Sequence, residues 1–349
     1  MRLPLTVESG LWQSGHCQGM QVNVRKGEIY FSFTTAFVRM TLDGKLLGSV
    51  EGLRGHLGCI ALQKETGLVY ASLEYKNDEI GKGILELLGD KGKISEGFYI
   101  AVFDPEKITQ KGMKPKDAMK AVFLKKPTED YGFYPDGGLP HRYGASGIDG
   151  VAFGPMFGEE GGKNYLFTSY GIYGDTNRLD NDHQVILKYD TSEWDKYLKP
   201  IDPENMHVSG PEQPDGVYFA YTGNTTYGIQ NLEYDEYTKS YMAAVYKGKK
   251  ERFPNYSMFL FDALKAPVYG SLKGLGGEMG NLLTLGKGAL TDPETGITGY
   301  NFPYGTTGLA SLGNGAYYVS EDEKTPEGWR TTVRRYEFDE KLLLVPAKE

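Results

Sequence analysis

The sequence has little cysteine, little histidine, no basic block and no long apolar run. Two cysteines, Cys17 and Cys59, in 349 residues are too few for the disulfide framework that staples small secreted domains; they read as small buried fillers. The net charge is −8, and the one Lys-rich stretch, residues 247–252, is short and interrupted by Gly248 and Glu251. A nucleic-acid partner is therefore not expected. No apolar segment approaches the ~18 residues of a membrane-spanning helix, so no membrane partner is expected either. The first fifteen residues lack the apolar core of a signal peptide. Cytoplasm is the default expectation, with secretion left open. No CxxC, P-loop or helix-opening GxGxxG occurs.

Glycine and tyrosine are abundant, at 47 and 26 residues. Gly supplies the positive φ of tight turns and Tyr suits a half-buried pleated surface, so many short strands are expected. The chain also repeats itself. His16 is followed at 14 positions by Tyr30, and His56 at 14 by Tyr70, with Gly27 and Gly67 at the same offset in the intervening turn. Looser copies begin at Gly147-Ile-Asp149, Gly228-Ile-Gln230-Asn231 and Gly305-Thr-Thr-Gly, and run to Tyr165, Tyr241 and Tyr317. Each copy reads as strand, turn, strand. Third strands follow at residues 37–40, 99–103, 185–189, 258–261 and 333–336.

Repetition of such a unit predicts an all-β fold, a β-propeller of four-stranded antiparallel blades. Five blades are expected, with six or seven as alternatives, in one domain over 1–349. The copies start near 16, 56, 147, 228 and 305, spaced by 40, 91, 81 and 77. Only the first spacing suits a ~40–50-residue blade; the others imply long loops or a hidden blade, and residues 217–222 read as an outer strand or part of one. Residues 3–7 are expected to close the ring on the last blade, because an open ring leaves an unpaired edge. Short helical turns are expected near residues 104–107, 115–120 and 203–206.

Antiparallel geometry brings the start of each inner strand and the end of each second strand to one face. His16, Gln18, His56, Asp149, Gln230 and Asn231 come from the starts. Glu74, Tyr75, Lys76, Tyr173, Tyr246 and neighbours come from the ends. Upstream loops add His141, Arg142, Tyr143, Asn224, Tyr227 and Tyr304. Carboxylates, amides and aromatic faces together suit a small polyhydroxylated ligand or an oligosaccharide. His16 and His56 hold one repeat position on adjacent blades and fit a general base, a substrate contact, a metal pair or two backbone-bonded imidazoles. His141, Arg142 and Tyr143 fit recognition of a uronate carboxylate with proton transfer, or a rim ion pair. Glu74 and Asp149 fit the paired carboxylates of glycoside hydrolysis, or a structural ion-pair network with Lys76. Asp175, Asp180, Asp182 and His183 offer oxygen and imidazole ligands for a divalent metal, Ca²⁺ or Mn²⁺, but lack EF-hand spacing and equally fit an Asx-turn loop.

The segments beginning at His16, Gly55, Ser72, His141 and Gly223 resemble an uncharacterised group of bacterial propeller-like proteins, over most of the chain. That resemblance implies the fold and no activity. A looser likeness to propeller glycoside hydrolases and polysaccharide lyases implies His, Tyr and Arg as proton-transfer groups, or a metal held by several His and a Gln. The leading expectation is an enzyme acting on a carbohydrate-like substrate by general acid–base chemistry, as hydrolase or uronide lyase. A metal-centred hydrolase of lactonase or phosphohydrolase type, and a non-catalytic ligand-binding scaffold, are the alternatives.

Overall fold

The computed structural model describes residues 3–348. It shows a five-bladed β-propeller. The inner strands are Cys17–Asn23, His56–Leu62, Ala145–Pro155, Thr225–Asp235 and Leu309–Gly313, each paired antiparallel with the next strand of its own blade. These are the five segments marked by the sequence repeat. Gly27 and Gly67, the turn glycines of the first two copies, have φ of 66° and 77°, a conformation that costs other residues a Cβ clash.

The packing between blades independently gives the number five. Buried apolar residues form a cluster at each of five neighbouring-blade interfaces. One places Phe37 of the first blade flat on Phe103 of the second, ring centroids 4.4 Å apart. Another joins the last blade (Tyr318, Val333) to the first (Phe31, Val38). As many interfaces as blades means a closed ring. The last blade takes a strand from the beginning of the chain: Thr6–Trp12 pairs antiparallel with Gly328–Phe338, Thr6 opposite Arg334. Tyr318 OH donates to the Pro4 carbonyl at 2.6 Å beside this pairing.

The long spacings hold insertions and no sixth blade. After the second blade's inner pair come the helix Glu79–Leu88 and, further on, Lys125–Gly132. Residues 217–222 belong mostly to Gly216–Tyr221, the outer strand of the third blade. A hairpin, Val268–Ser271 with Met279–Leu282, then adds to that outer strand, giving a six-stranded sheet. The helical turns expected near 104 and 115 are present as Pro105–Lys107 and Pro115–Ala118; residues 203–206 form an irregular turn. Among the described residues no helix is long and apolar enough to cross a membrane.

Four inner strands bulge one to five residues after they start, and the fifth slips between Ser311 and Gly313 beside its turn. The register slips between Cys17 and Gly19, Leu57 and Ile60, Ile148 and Val151, and Ile229 and Asn231. A bulge leaves a residue out of the ladder and re-aims its side chain. Gln18, Asp149 and Gln230 sit in three of these bulges.

Candidate functional site

A cavity of about 770 Å³ opens where the inner strands begin, and the three bulged residues Gln18, Asp149 and Gln230 line it together with His16, His56, Glu74, Lys76, Tyr227 and Tyr246. The two repeat-equivalent histidines thus share one cavity, although only their sequence offset relates them in the chain. Gln18 Nε2 lies 3.1 Å from Thr34 Oγ1 and 3.1 Å from His16 Nε2. Gln230 Nε2 donates to the Tyr227 carbonyl at 2.9 Å, where Tyr227 holds a φ of 64°.

Two carboxylates, Glu74 and Asp149, line the cavity, and glycines of inner strands make room for both. A Cβ at Gly147 would fall 1.8 Å from Glu74 Oε1, and one at Gly58 would fall 2.4 Å from Asp149 Oδ1. Glu74 Oε1 accepts from the Ile148 amide, and Glu74 Oε2 lies 2.8 Å from Lys76 Nζ. Lys76 also donates to the Ser146 carbonyl at 2.8 Å. Burial lowers the proton affinity of Lys76, but Glu74 and Asp78 more than reverse this and hold it charged.

Proton affinities diverge within this one cavity. Burial, and then the like charge of Glu74, push Asp149 well above the usual carboxylate range. Burial raises Glu74 too, with Lys76 opposing it. His56 moves the other way, down to about 3, through burial and then the positive Lys76. Its Nδ1 lies 3.7 Å from Glu74 Oε2 and has no hydrogen-bond partner. Burial lowers His16 as well. A carboxylic acid that keeps its proton therefore shares a cavity with imidazoles that stay neutral, the separation by which one site supplies an acid and a base.

Other candidate residues lie elsewhere. His141 stacks on Tyr131 at 4.6 Å and tilts against Tyr173, with Nδ1 on the Tyr131 carbonyl. Arg142 and Tyr143 both bind Glu278 Oε1, Arg142 at 2.9 Å. They line a separate cavity of about 590 Å³ with Phe133, Leu139 and Leu179. Arg142 and Tyr143 therefore pair with an acid on a later hairpin, away from His16 and His56. Tyr75 is buried against Tyr99 in the core. Asn231 Nδ2 donates to the Gln18 and Thr306 carbonyls at 3.0 and 2.9 Å, tying three blades together at the axis. Asn224 Oδ1 accepts from the Lys249 amide, and Tyr304 packs on Phe302 and Tyr336.

The acids of residues 175–183 are each engaged by other groups. Asp175 Oδ1 caps the Asn177 amide at 2.8 Å, Asp180 takes Arg178 in a two-pronged pair, and Asp182 holds Lys250 and Arg252. His183 is 2% exposed, with both ring nitrogens unpartnered; burial lowers it to about 4. Among the described residues no group of three His, Cys, Asp or Glu side chains is placed to hold a metal ion. The Asx-turn reading fits this segment better than a calcium loop. Cys17 and Cys59 are free and buried, and Cys59 Sγ contacts the Asn231 Oδ1 at 3.4 Å.

Two features of the cavity are missing from the sequence-based expectation. Trp329 comes from the third strand of the last blade, where its ring meets His16 at 5.4 Å. The helix Glu79–Leu88 forms one wall through Ile80, Gly83, Ile84 and Leu87. Its signals are in the sequence: Asp78 caps the Gly81 amide and Gly89 ends it in the left-handed conformation, as helix termini favour.

No protein-family model and no curated protein matches this sequence. Among solved structures the chain is similar to the Dos1 propeller, with a TM-score of 0.35 and 10% identity over 95% of this chain and 59% of that one. It therefore spans less than two thirds of that chain. It is similar to the GH43 β-1,3-galactosidase with galactodeoxynojirimycin, at 0.45 and 12% over 98% of each chain. It is similar to the soluble aldose sugar dehydrogenase of Escherichia coli in its apo form, at 0.39 and 9% over 94% of this chain and 99% of that one. Blade number here is given by this chain's own strand pairing and its five apolar interfaces.

Proposed function

We propose that the central cavity is the active site of an enzyme acting on a carbohydrate-like substrate by general acid–base chemistry. The observation that carries this reading is the placement of Asp149, in a strand bulge, in one cavity with His16 and His56. Asp149 acts as proton donor to the departing glycosidic oxygen. A neutral imidazole, His56 or His16, takes the proton from the attacking water. Lys76 and the Ile148 amide oppose the burial that raises Glu74, and in its ionised form Glu74 sets a negative charge near the positive charge that grows on the sugar ring.

The lining supports a polyhydroxylated ligand. Gln18 and Gln230 offer amides, and Tyr227, Tyr246 and Trp329 offer aromatic faces. A volume of about 770 Å³ falls within the ~300–1,000 Å³ of small-molecule sites. Hydrolysis is better supported than β-elimination, because Arg142 and Tyr143 already bind Glu278. Assay of reducing-sugar release from a panel of glycosides and oligosaccharides tests the proposal. Release that falls by at least about 100-fold in Asp149→Asn supports it. Unchanged release in that variant, or sugar binding with no turnover of any panel member, overturns it.

A further inference from the structure

The helix Glu79–Leu88 keeps an apolar face uncovered where it meets the cavity. Ile80, Gly83, Ile84 and Leu87 all line it, and their spacing of three and four residues defines one side of an α-helix. Ile80 and Leu87 are 38% and 49% exposed. The exposure is not that of a loose element. The helix is capped at both ends, and Gly81 sits so close to the Lys76 carbonyl that a Cβ would fall 1.7 Å from its oxygen. Leu85 packs into the apolar cluster between the first two blades. Gly83 has nothing within 4 Å of where a Cβ would stand, so the face carries an open notch between its aliphatic side chains.

The same cavity therefore has a polar floor and an apolar wall. A wholly hydrophilic sugar would cover the floor and leave Ile80 and Leu87 facing water. We infer that the ligand is amphipathic: a sugar or sugar-like polyol joined to an apolar aglycone, with the polar part on Asp149, Gln18 and Gln230 and the aglycone against Ile80, Gly83, Ile84 and Leu87. This rests on reading the cavity as a carbohydrate site. It adds a substrate class, aryl or alkyl glycosides, which the polar residues alone do not select.

Equilibrium binding of paired methyl and 4-methylumbelliferyl glycosides, sugar by sugar, tests the inference in the wild-type chain and in Asp149→Asn. The umbelliferyl member of a pair should bind at least about ten-fold more tightly, a fold-change within reach of burying one apolar group. Gly83→Trp fills the notch and Leu87→Asn makes the wall polar; each should bring the ratio of affinities close to one. Leu87→Asn serves if Gly83→Trp shifts the unfolding midpoint. Equal binding of the two members throughout the panel, or a ratio that neither variant changes, overturns the inference. A ratio that behaves as expected in a protein that turns over no glycoside supports the inference and overturns the catalytic reading alone.

Discussion

Lys76 Nζ lies 2.8 Å from Glu74 Oε2, and both side chains are 5% exposed. Neither charge has water to fall back on, so each depends on the other. Lys76→Met should destabilise the fold by about 3–5 kcal/mol, the usual cost of leaving one buried charge unpaired. Glu74→Gln added to it should recover part of the loss by removing that charge. Urea unfolding of the two variants measures both steps; a Lys76→Met midpoint equal to wild type would show the pair to be energetically idle.

The pH dependence of turnover follows from the same cavity. Asp149 is active as an acid while it keeps its proton, so rate should fall on the alkaline side as that proton leaves. Because His56 stays neutral down to about 3, the loss on the acid side should come only at low pH. Asp149→Asn should cost ~10²–10⁴-fold in turnover and remove the alkaline limb from what remains. A rate that climbs steadily with pH would assign Asp149 another role.

Glu233 predicts a stability slope at the opposite end of an inner strand. Burial raises it to about 7, against the hydrogen bonds from Ser311 N and Gln21. A raised carboxyl favours the fold fully below its unfolded value, near 4.5, and loses that contribution as pH rises through about 7. Glu233→Gln imitates the protonated form, and Gln21 can turn its amide to present oxygen to it. The variant should therefore gain melting temperature relative to wild type between pH 5 and pH 8. A difference that stays flat across this range counts against the raised value.

Asn231 is 1% exposed, and its one NH₂ group serves carbonyls of two different blades. Asn231→Ala should cost about 1–3 kcal/mol for each carbonyl left without a partner. Asn231→Asp should also destabilise, since a carboxylate cannot donate to either carbonyl. Denaturant midpoints read both, and a neutral Asn231→Ala would mean that water replaces the amide.

The blades were legible in the sequence because the repeat is written in side chains. His16 with Tyr30 and His56 with Tyr70 mark equivalent hairpins, and backbone geometry then sends their beginnings to one face. Pairings across the ring were less legible. Nothing near Arg142 in the chain announces Glu278, its partner, and nothing near Trp329 announces His16. The bulges at Gln18, Asp149 and Gln230 depend on the register of two strands, which single-strand patterning does not give. The helix at residues 79–88 is a different case. Asp78, Gly89 and its four-residue apolar spacing state it locally, but Asp78 comes directly after a strand end and so reads as one more polar residue there.

The strand Thr6–Trp12 has a consequence for how the molecule comes into being. Ser9 Oγ accepts from the Thr331 amide, 322 positions away. During synthesis this first strand emerges early and must wait, unpaired, until Gly328–Phe338 has followed. The earlier blades can stack in order as they appear, since each needs only its neighbour, but the ring is locked only by its last-made blade. Until then His16, one blade from the seam, has no Trp329 beside it. Assembly of the cavity therefore waits for synthesis of the fifth blade, and a nascent chain should show blade structure before it shows any ligand binding.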